Sequence, residues 1–589
     1  MMKRIVESLF LLLMVGCCQK QPAVLPALIP QPKQLTQQQG VYQIPQQLVV
    51  AYDNEMLLPA IDFLRGGLPA DVDLSARFGT KGDVCLLLDT QLTTEGAYQI
   101  DVTGRNVTLR SGSYQGMISA IATLRQLVSL QSSRQLPCLH IEDAPSLAWR
   151  GFMLDVSRHF FSKEEVMALL EKMACYKFNK FHWHLTDDQG WRIEIKRYPE
   201  LTEQGAWRDV ATHDHDKVCA ERAKERDDNS YLLPLDKLKD VDGKPYYGGY
   251  YTQDEIREVV AYAATLGIDV IPEIDMPGHS LQSVHCYPSL SCTGKASWGE
   301  TFSTPLCLGN DATLEFCKNI YSELFDLFPY EYVHIGADEV EKTNWKKCPK
   351  CQQRIAEHHL LDEKGLQAWF VRDMEHFFAE HGRRMVGWDE IAEDSLSQTA
   401  VIMWWRSWMP QTLSTALKNG NEVILSPVEY LYLDDAQNRN SLLKSYGFTP
   451  ADSLMHQYMP QIKGMQTHLW TEYIPSFDKA CYHLFPRFFA AGELAWSGFS
   501  QGDASDFEHR AVEHLQRLDA EGWNYRIPDI EGFCDENVFI DSLTVTLRKP
   551  FASIAIHYTL DGTTPNETSP RYEQPITIAS PTTLKVRAY

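Results

Sequence analysis

From residue 148 onward the chain alternates strictly between strand-like and helix-like segments, and that alternation limits the fold more than any other feature of the sequence. Short apolar, β-branched or aromatic runs fall at 152–156, 180–185, 268–274, 332–336, 385–388, 401–404, 423–425 and 465–470. Between them lie helical patterns. Ser162-Lys163-Glu164-Glu165 and Thr252-Gln253-Asp254-Glu255 are capping boxes that open two helices, and 311–327 and 365–381 carry the 3.6-residue apolar period. Eight parallel strand–helix units across 148–500 predict an α/β fold, a (β/α)8 TIM barrel, with its active site at the C-terminal strand ends.

A chain of 589 residues exceeds a single core, so flanking domains are expected. Residues 33–147 read as an N-terminal α+β domain, with strands at 86–88, 98–102 and 106–109 and a helix over 114–130. Gly104-Arg105-Asn106 is a hairpin turn between two of those strands. The domain carries no cluster of reactive side chains, which suits a supporting role. Residues 501–533 form a closing region with an amphipathic helix over 506–523, and 534–589 a small C-terminal β domain with strands at 542–547 and 554–560. The last residues, Lys585 to Tyr589, read as mid-strand, so completion of this domain by residues beyond the sequence is the expectation.

The N-terminus reads as an export signal. Met1-Met2-Lys3-Arg4 precedes an apolar run and then Met14-Val15-Gly16-Cys17, which resembles a bacterial lipobox. On that reading 1–16 is a lipoprotein-type signal peptide, Cys17 the lipidated first residue and 17–32 a polar tether. An ordinary cleaved signal is the alternative. The lipid would be the protein's only membrane contact, because no other apolar run is long enough to span a bilayer. Export as a lipoprotein of the outer membrane, facing the periplasm or the cell surface, follows from it. The net charge of −23 repels nucleic acid and anionic lipid, and neither is an expected partner.

Fourteen cysteines in an exported chain permit disulfides. Cys348-Pro349-Lys350-Cys351 has zinc-ligand spacing, but a second such pair is absent from the sequence, so a local disulfide or two free thiols is expected there and no metal site. Cys286, Cys292 and Cys307 are close enough in sequence for one loop bridge.

Chemistry collects where the strands end. Val333-His334-Ile335-Gly336-Ala337-Asp338-Glu339-Val340 is a buried strand running into a turn with two adjacent carboxylates. An exposed loop or a helix N-terminus often carries such a pair. At the end of a buried strand their repulsion instead favours retention of a proton, as a general acid requires. Other strand ends supply Arg158, Asp187, Asp275 with His279, Trp388, Trp405, Tyr432, Asp434, Trp470 and Glu472. A lone Trp would read as core packing. Three at the ends of one barrel read as pocket walls for a neutral polyhydroxylated ligand, with carboxylates to accept from hydroxyls. There is no phosphate-cradling glycine loop, and no cofactor is expected.

These stretches resemble the β-N-acetylhexosaminidases of glycoside hydrolase family 20. The resemblance rests on 154–160 (LDVSRHF), 182–189 (HWHLTDDQ), 272–279 (PEIDMPGH), 334–339 (HIGADE), 387–390 (GWDE), 432–434 (YLD) and 469–472 (LWTE). It implies a retaining exo-glycosidase that removes terminal β-linked N-acetylhexosamine, GlcNAc or GalNAc, through an oxazolinium formed by the substrate's own acetamido group. Under it Glu339 is the general acid/base and Asp338 orients the acetamido group. Arg158 anchors the 3- and 4-hydroxyls, Glu472 and Asp434 partner the 4- and 6-hydroxyls, and Tyr432 donates to the acetamido oxygen. Trp388, Trp405 and Trp470 line the pocket, while Asp187, Asp275, His279 and His334 support the acid. Chitooligosaccharide, N-glycan or mucin-type ends are the implied substrates, with 213–242 expected to influence which. Independently, adjacent residues diverge from one backbone point and are ill placed to flank an anomeric carbon from opposite sides, so a nucleophile other than Asp338 is expected.

Two other classes compete. A metal-dependent barrel hydrolase would use His182 and His184, on one face of a strand, with Asp187 and His334. A non-catalytic glycan-binding lipoprotein would not require Asp338 and Glu339.

Overall fold

The structure, a computed structural model, describes residues 26–129, 134–393, 397–450, 457–500 and 502–589. The signal, Cys17, most of the tether and Leu130 lie outside the described residues.

Eight parallel strands close a barrel: β1 (Trp149–Asp155), β2 (Lys180–His184), β3 (Asp269–Glu273), β4 (Tyr332–His334), β5 (Arg384–Trp388), β6 (Val401–Trp404), β7 (Val423–Leu425) and β8 (Ile462–Leu469). Barrel order is chain order, and β8 pairs back onto β1 from Gly464 opposite Trp149 to Leu469 opposite Leu154. Nearly every strand residue is buried, because helices cover the outside while side chains fill the inside. Helices Lys163–Cys175 and Gln253–Thr265 open on the two expected capping boxes, and a third spans Asp311–Leu327.

The N-terminal domain is a seven-stranded mixed sheet backed by helices Leu58–Arg65 and Tyr114–Ser129. Asp143 locks it to the barrel. Its buried carboxylate accepts from Tyr98 Oη at 2.7 Å and Trp496 Nε1 at 3.0 Å, and lies 3.1 Å from Lys177 Nζ. Beyond the helix Ala504–Ala520, two antiparallel strand pairs form the small C-terminal domain: Leu543–Val545 with Ile576–Ile578, and Ile556–Thr559 with Lys585–Ala588.

Between β2 and helix Gln253–Thr265 the chain builds a helix, Asp214–Arg226, and a three-stranded sheet. Sequence patterning gave no sign of that helix, since it buries only Asp216, Cys219 and Ala223 and has no apolar stripe. A bidentate pair holds it instead: Asp216 accepts from Arg208 Nε at 3.0 Å and Arg208 Nη2 at 2.5 Å, in buried surroundings.

The cysteines meet one sequence expectation and not another: Cys348 and Cys351 are free thiols, the second of the two alternatives there, but no bridge joins any of Cys286, Cys292 and Cys307. Among the described residues all sulfurs are free. Cys286 donates to the Glu200 carbonyl rather than joining a loop bridge. Cys351 approaches Cys292 and Cys307, brought together from separate loops, rather than closing a local disulfide with Cys348.

Candidate active site

The turn after β4 is built under strain. Gly336, Ala337 and Glu339 all take positive φ, at 72°, 71° and 49°, a region that costs non-glycine residues about 1–3 kcal/mol each. Gly336 is required for space as well: a Cβ there would fall 2.1 Å from Asp275 Oδ1. That same oxygen accepts the Ala337 N–H at 3.0 Å, and Gln367 Nε2 donates to the Ala337 carbonyl at 2.9 Å. Clamped so, the turn sends Asp338 and Glu339 into the barrel mouth. The Asp338 side chain is 11% exposed and the Glu339 side chain 32%.

Charges around this turn are arranged in opposition. Burial and the neighbouring Asp275 carboxylate push Asp338 well above the usual carboxylate range, and burial raises Asp275 to about 7. His279 goes the other way from an ordinary buried imidazole. Burial opposes its charge, but Asp187 and Asp338 outweigh burial and hold it protonated well above the usual histidine value. Its Nδ1 lies 3.1 Å from Asp187 Oδ1, while its Nε2 faces Asp338 and Glu339. The sequence left open which acid of the pair keeps a proton; Asp338 is raised, through burial and Asp275.

Beneath the mouth, Glu273 of β3 is fully buried and organises the floor. Trp388 Nε1 donates to it at 2.9 Å, His182 Nε2 and His334 Nδ1 lie 3.0 and 2.9 Å away, and His184 Nδ1 is bonded to it as well. Although burial opposes ionisation, the three imidazoles pull Glu273 well below its usual value. His184 Nε2 passes the contact on to Asp187 at 2.9 Å. Both nitrogens of His184 are thus spent on carboxylates, and His182 Nδ1 accepts from Gln466 Nε2 at 2.9 Å. Of the histidines singled out for a metal hydrolase, His184 is thus committed to two carboxylates and His182 Nδ1 to Gln466, while His182, Glu273 and His334 bring ligand atoms within 4.8 Å of one another in this floor rather than in the pocket wall.

On the far side Arg158 is the hub. It reaches Asp187 at 2.8 Å, Asp155 at 3.2 Å and Glu472 at 3.6 Å, donates to Gln189 at 2.9 Å, and lies over the Trp470 ring with its guanidinium carbon 4.8 Å from the centroid. Asp155, which the sequence reading left without a role, also accepts the N–H groups of Ser157, Arg158 and Thr471, and so fixes the loop after β1 to the loop after β8. Burial and the Glu472 charge raise Asp434 to about 8.

A 570 Å³ cavity joins these groups, lined by Arg158, His279, Asp338, Glu339, Asp434 and Glu472 and walled by Trp388, Trp405, Trp470 and Tyr432. Trp405 faces it and donates to Glu390 at 3.1 Å, whereas Trp404 faces a separate hollow on the outer side. Trp405 and Tyr432 lie nearly parallel, 17° apart with centroids separated by 6.3 Å. Asp187 and Asp275 sit behind the wall and act through His279, Arg158 and the turn. Arg222, Arg226 and Tyr231, from the helical insertion and the turn after it, also reach the cavity. Sequence reasoning named their segment, 213–242, but not these residues, because they belong to no motif and their helix carries no periodic signal.

Two carboxylate oxygens in this cavity, Asp338 Oδ1 and Asp434 Oδ1, are buried without a protein hydrogen bond. Both atoms face the cavity, where solvent or a bound ligand can complete their hydrogen bonding. Fold and site together define a (β/α)8 enzyme of the glycosidase type, whose cavity between tryptophans and acids suits a neutral ring.

The comparisons give the family. Residues 147–499 match the model of the glycosyl hydrolase family 20 catalytic domain, 25–144 that of its domain 2, and 535–589 the chitobiase/β-hexosaminidase C-terminal domain. A β-hexosaminidase of Porphyromonas gingivalis is 34% identical over 98% of this chain and 75% of its own, and one of Vibrio furnissii 38% identical over 71% and 67%. The crystal structure of a Vibrio harveyi family 20 exo-β-N-acetylglucosaminidase with N-acetylglucosamine superposes with a TM-score of 0.74 at 33% identity, covering 86% of this chain and 80% of the other. The chain belongs to glycoside hydrolase family 20.

Proposed function

We propose that this cavity removes terminal, non-reducing β-linked N-acetylhexosamine with retention, the substrate's acetamido oxygen acting as the nucleophile. The carrying observation is the turn after β4: Glu339 and Asp338 leave it side by side, and Asp338 presents a buried, unpartnered oxygen to the cavity. An acid on that turn can protonate the leaving oxygen. A carboxylate beside it can hold the amide N–H as positive charge grows on the closing ring. Substrate assistance is the family's known exception to the two-carboxylate scheme. Arg158, Glu472 and Asp434 take the ring hydroxyls, Tyr432 donates to the acetamido oxygen, and the three tryptophans cover the sugar faces and exclude water.

Glycan ends with a terminal GlcNAc or GalNAc are the substrates this reading supports. Turnover of aryl β-GlcNAc, β-GalNAc and β-glucose glycosides tests it: both N-acetylated sugars, or one of them, are cleaved and the glucoside is nearly inert. Equal turnover of the glucoside overturns the role of the acetamido group, and binding without turnover of any sugar favours the non-catalytic reading.

An exported lipoprotein anchored through Cys17 is the location that the short apolar run and Gly16-Cys17 support. Cys17→Ser then moves the protein from the detergent phase to the soluble fraction; identical partitioning of the two forms contradicts it.

A further inference from the structure

Four cysteine sulfurs converge outside the active site. Cys292 and Cys307 lie in the long loop after β3, and Cys348 and Cys351 bracket the start of the helix Pro349–Glu357. Cys292 Sγ is 3.6 Å from Cys351 Sγ, and Cys307 Sγ is 3.7 Å from both Cys348 and Cys351. All four sulfurs lie within 4.8 Å of one another, and Cys307, Cys348 and Cys351 are buried.

These spacings do not suit disulfides, whose sulfurs sit about 2.05 Å apart and pair one to one. Here Cys307 and Cys351 each have two near neighbours at almost equal distance, which a central atom explains and a pairwise bond does not. A tetrahedral zinc with Zn–S bonds of about 2.3 Å places its sulfurs about 3.8 Å apart. We propose that Cys292, Cys307, Cys348 and Cys351 form a structural Zn²⁺ site that ties the loop after β3 to the loop after β4. On binding, the four thiols release their protons to water and the sulfurs bind as thiolates.

The surroundings fit such a site. The loops meet closely there, since a Cβ on Gly309 would fall 2.2 Å from the Lys350 carbonyl carbon. A Zn²⁺ with four thiolates carries a net negative charge, and Lys346, Lys347 and Lys350 flank the second pair of ligands. The two joined loops are those that carry His279 and the Asp338-Glu339 turn. They are further pinned by Trp345 Nε1 donating to the Leu306 carbonyl at 2.9 Å, and by Thr301 N donating to Glu341 at 3.2 Å. The cluster is a clamp behind the catalytic turn, with no ligand reaching the cavity.

Elemental analysis by mass spectrometry on the full chain, purified without added metal, decides it. One zinc per chain is expected, with stepwise release into a colorimetric indicator as a mercurial titrates the thiols. Cys292→Ser combined with Cys307→Ser lowers the zinc content at least tenfold and lowers the melting temperature. Should that variant fail to fold, the wild-type zinc content and its mercurial-dependent release decide alone. Wild-type protein without zinc overturns the proposal, whether its native mass is lighter by four hydrogens, showing two disulfides, or unchanged, showing four free thiols. Zinc that survives both substitutions, or resists the mercurial, places the metal elsewhere and overturns it too.

Discussion

His279 Nε2 lies 3.5 Å from Glu339 Oε2, and the same nitrogen is 3.7 Å from Asp338 Oδ2. One imidazolium, held from behind by Asp187, therefore faces both acids of the catalytic turn. Its charge opposes the burial and the Asp275 carboxylate that raise Asp338. The state of Asp338 in the free enzyme is a balance of these neighbours, and the balance can be tipped in either direction.

Removing the neighbours one at a time gives opposite signs. Asp338 must be a carboxylate to hold the amide N–H, so its deprotonation shapes the acidic limb of kcat/KM against pH. Asp275→Asn deletes a charge that raises Asp338 and moves that limb to lower pH; His279→Gln deletes a charge that lowers it and moves the limb to higher pH. Profiles on an aryl β-GlcNAc with a good leaving group read both. Shifts of the same sign contradict the account. Because the acids interact, the limb belongs to the group rather than to one residue.

Glu339→Gln removes the proton donor. For substrates with poor leaving groups kcat falls by on the order of 10²–10⁴, and much less for leaving groups that need no protonation. Equal losses on the two kinds of substrate contradict the assignment of Glu339 as the acid.

The barrel floor makes a stability prediction. Glu273→Gln keeps the shape but leaves the His184 cation with one carboxylate fewer, and costs about 3–5 kcal/mol, as breaking a buried pair does. The signs are set by the shifts. The lowered Glu273 contributes stability that is complete above its unfolded value near 4.5 and is lost as pH falls through its depressed native value. The raised His184 contributes stability that is complete below its unfolded value near 6.5 and is lost as pH rises through its elevated native value. Denaturant unfolding between pH 4.5 and 6.5 is the cleanest comparison. A loss below about 1 kcal/mol there contradicts the floor's role.

How much of this was legible in the sequence depended on whether the signal was local. Each barrel strand was an apolar run between turn signals, and Ser162 and Thr252 announced their helices, so the barrel could be read directly. The site residues were legible because a barrel gathers its strand ends in one place, which turns separate short motifs into neighbours. Three things were not. The helix Asp214–Arg226 is held by the Arg208–Asp216 pair rather than by an apolar face. Glu273 looks in sequence like one more polar residue in a strand, and only barrel closure surrounds it with three histidines and Trp388. The four cysteines show one paired motif and two singles, and the singles join it only through the fold.

Asp338→Asn depresses kcat far more than it raises KM, by on the order of 10²-fold or more, because the contact strengthens as charge develops on the acetamido group. A loss confined to KM shows that Asp338 merely binds the ground state.

The most direct test of acetamido participation is the rate of aryl glycosides in which the acetyl group carries none, one, two or three fluorines. Each fluorine draws electrons from the amide oxygen and weakens it as a nucleophile while leaving the rest of the sugar unchanged. If that oxygen attacks the anomeric carbon, kcat/KM falls steeply and in order across the series. A flat series, together with a covalent glycosyl adduct on Asp338 in the mass spectrum, contradicts the account and makes Asp338 the nucleophile.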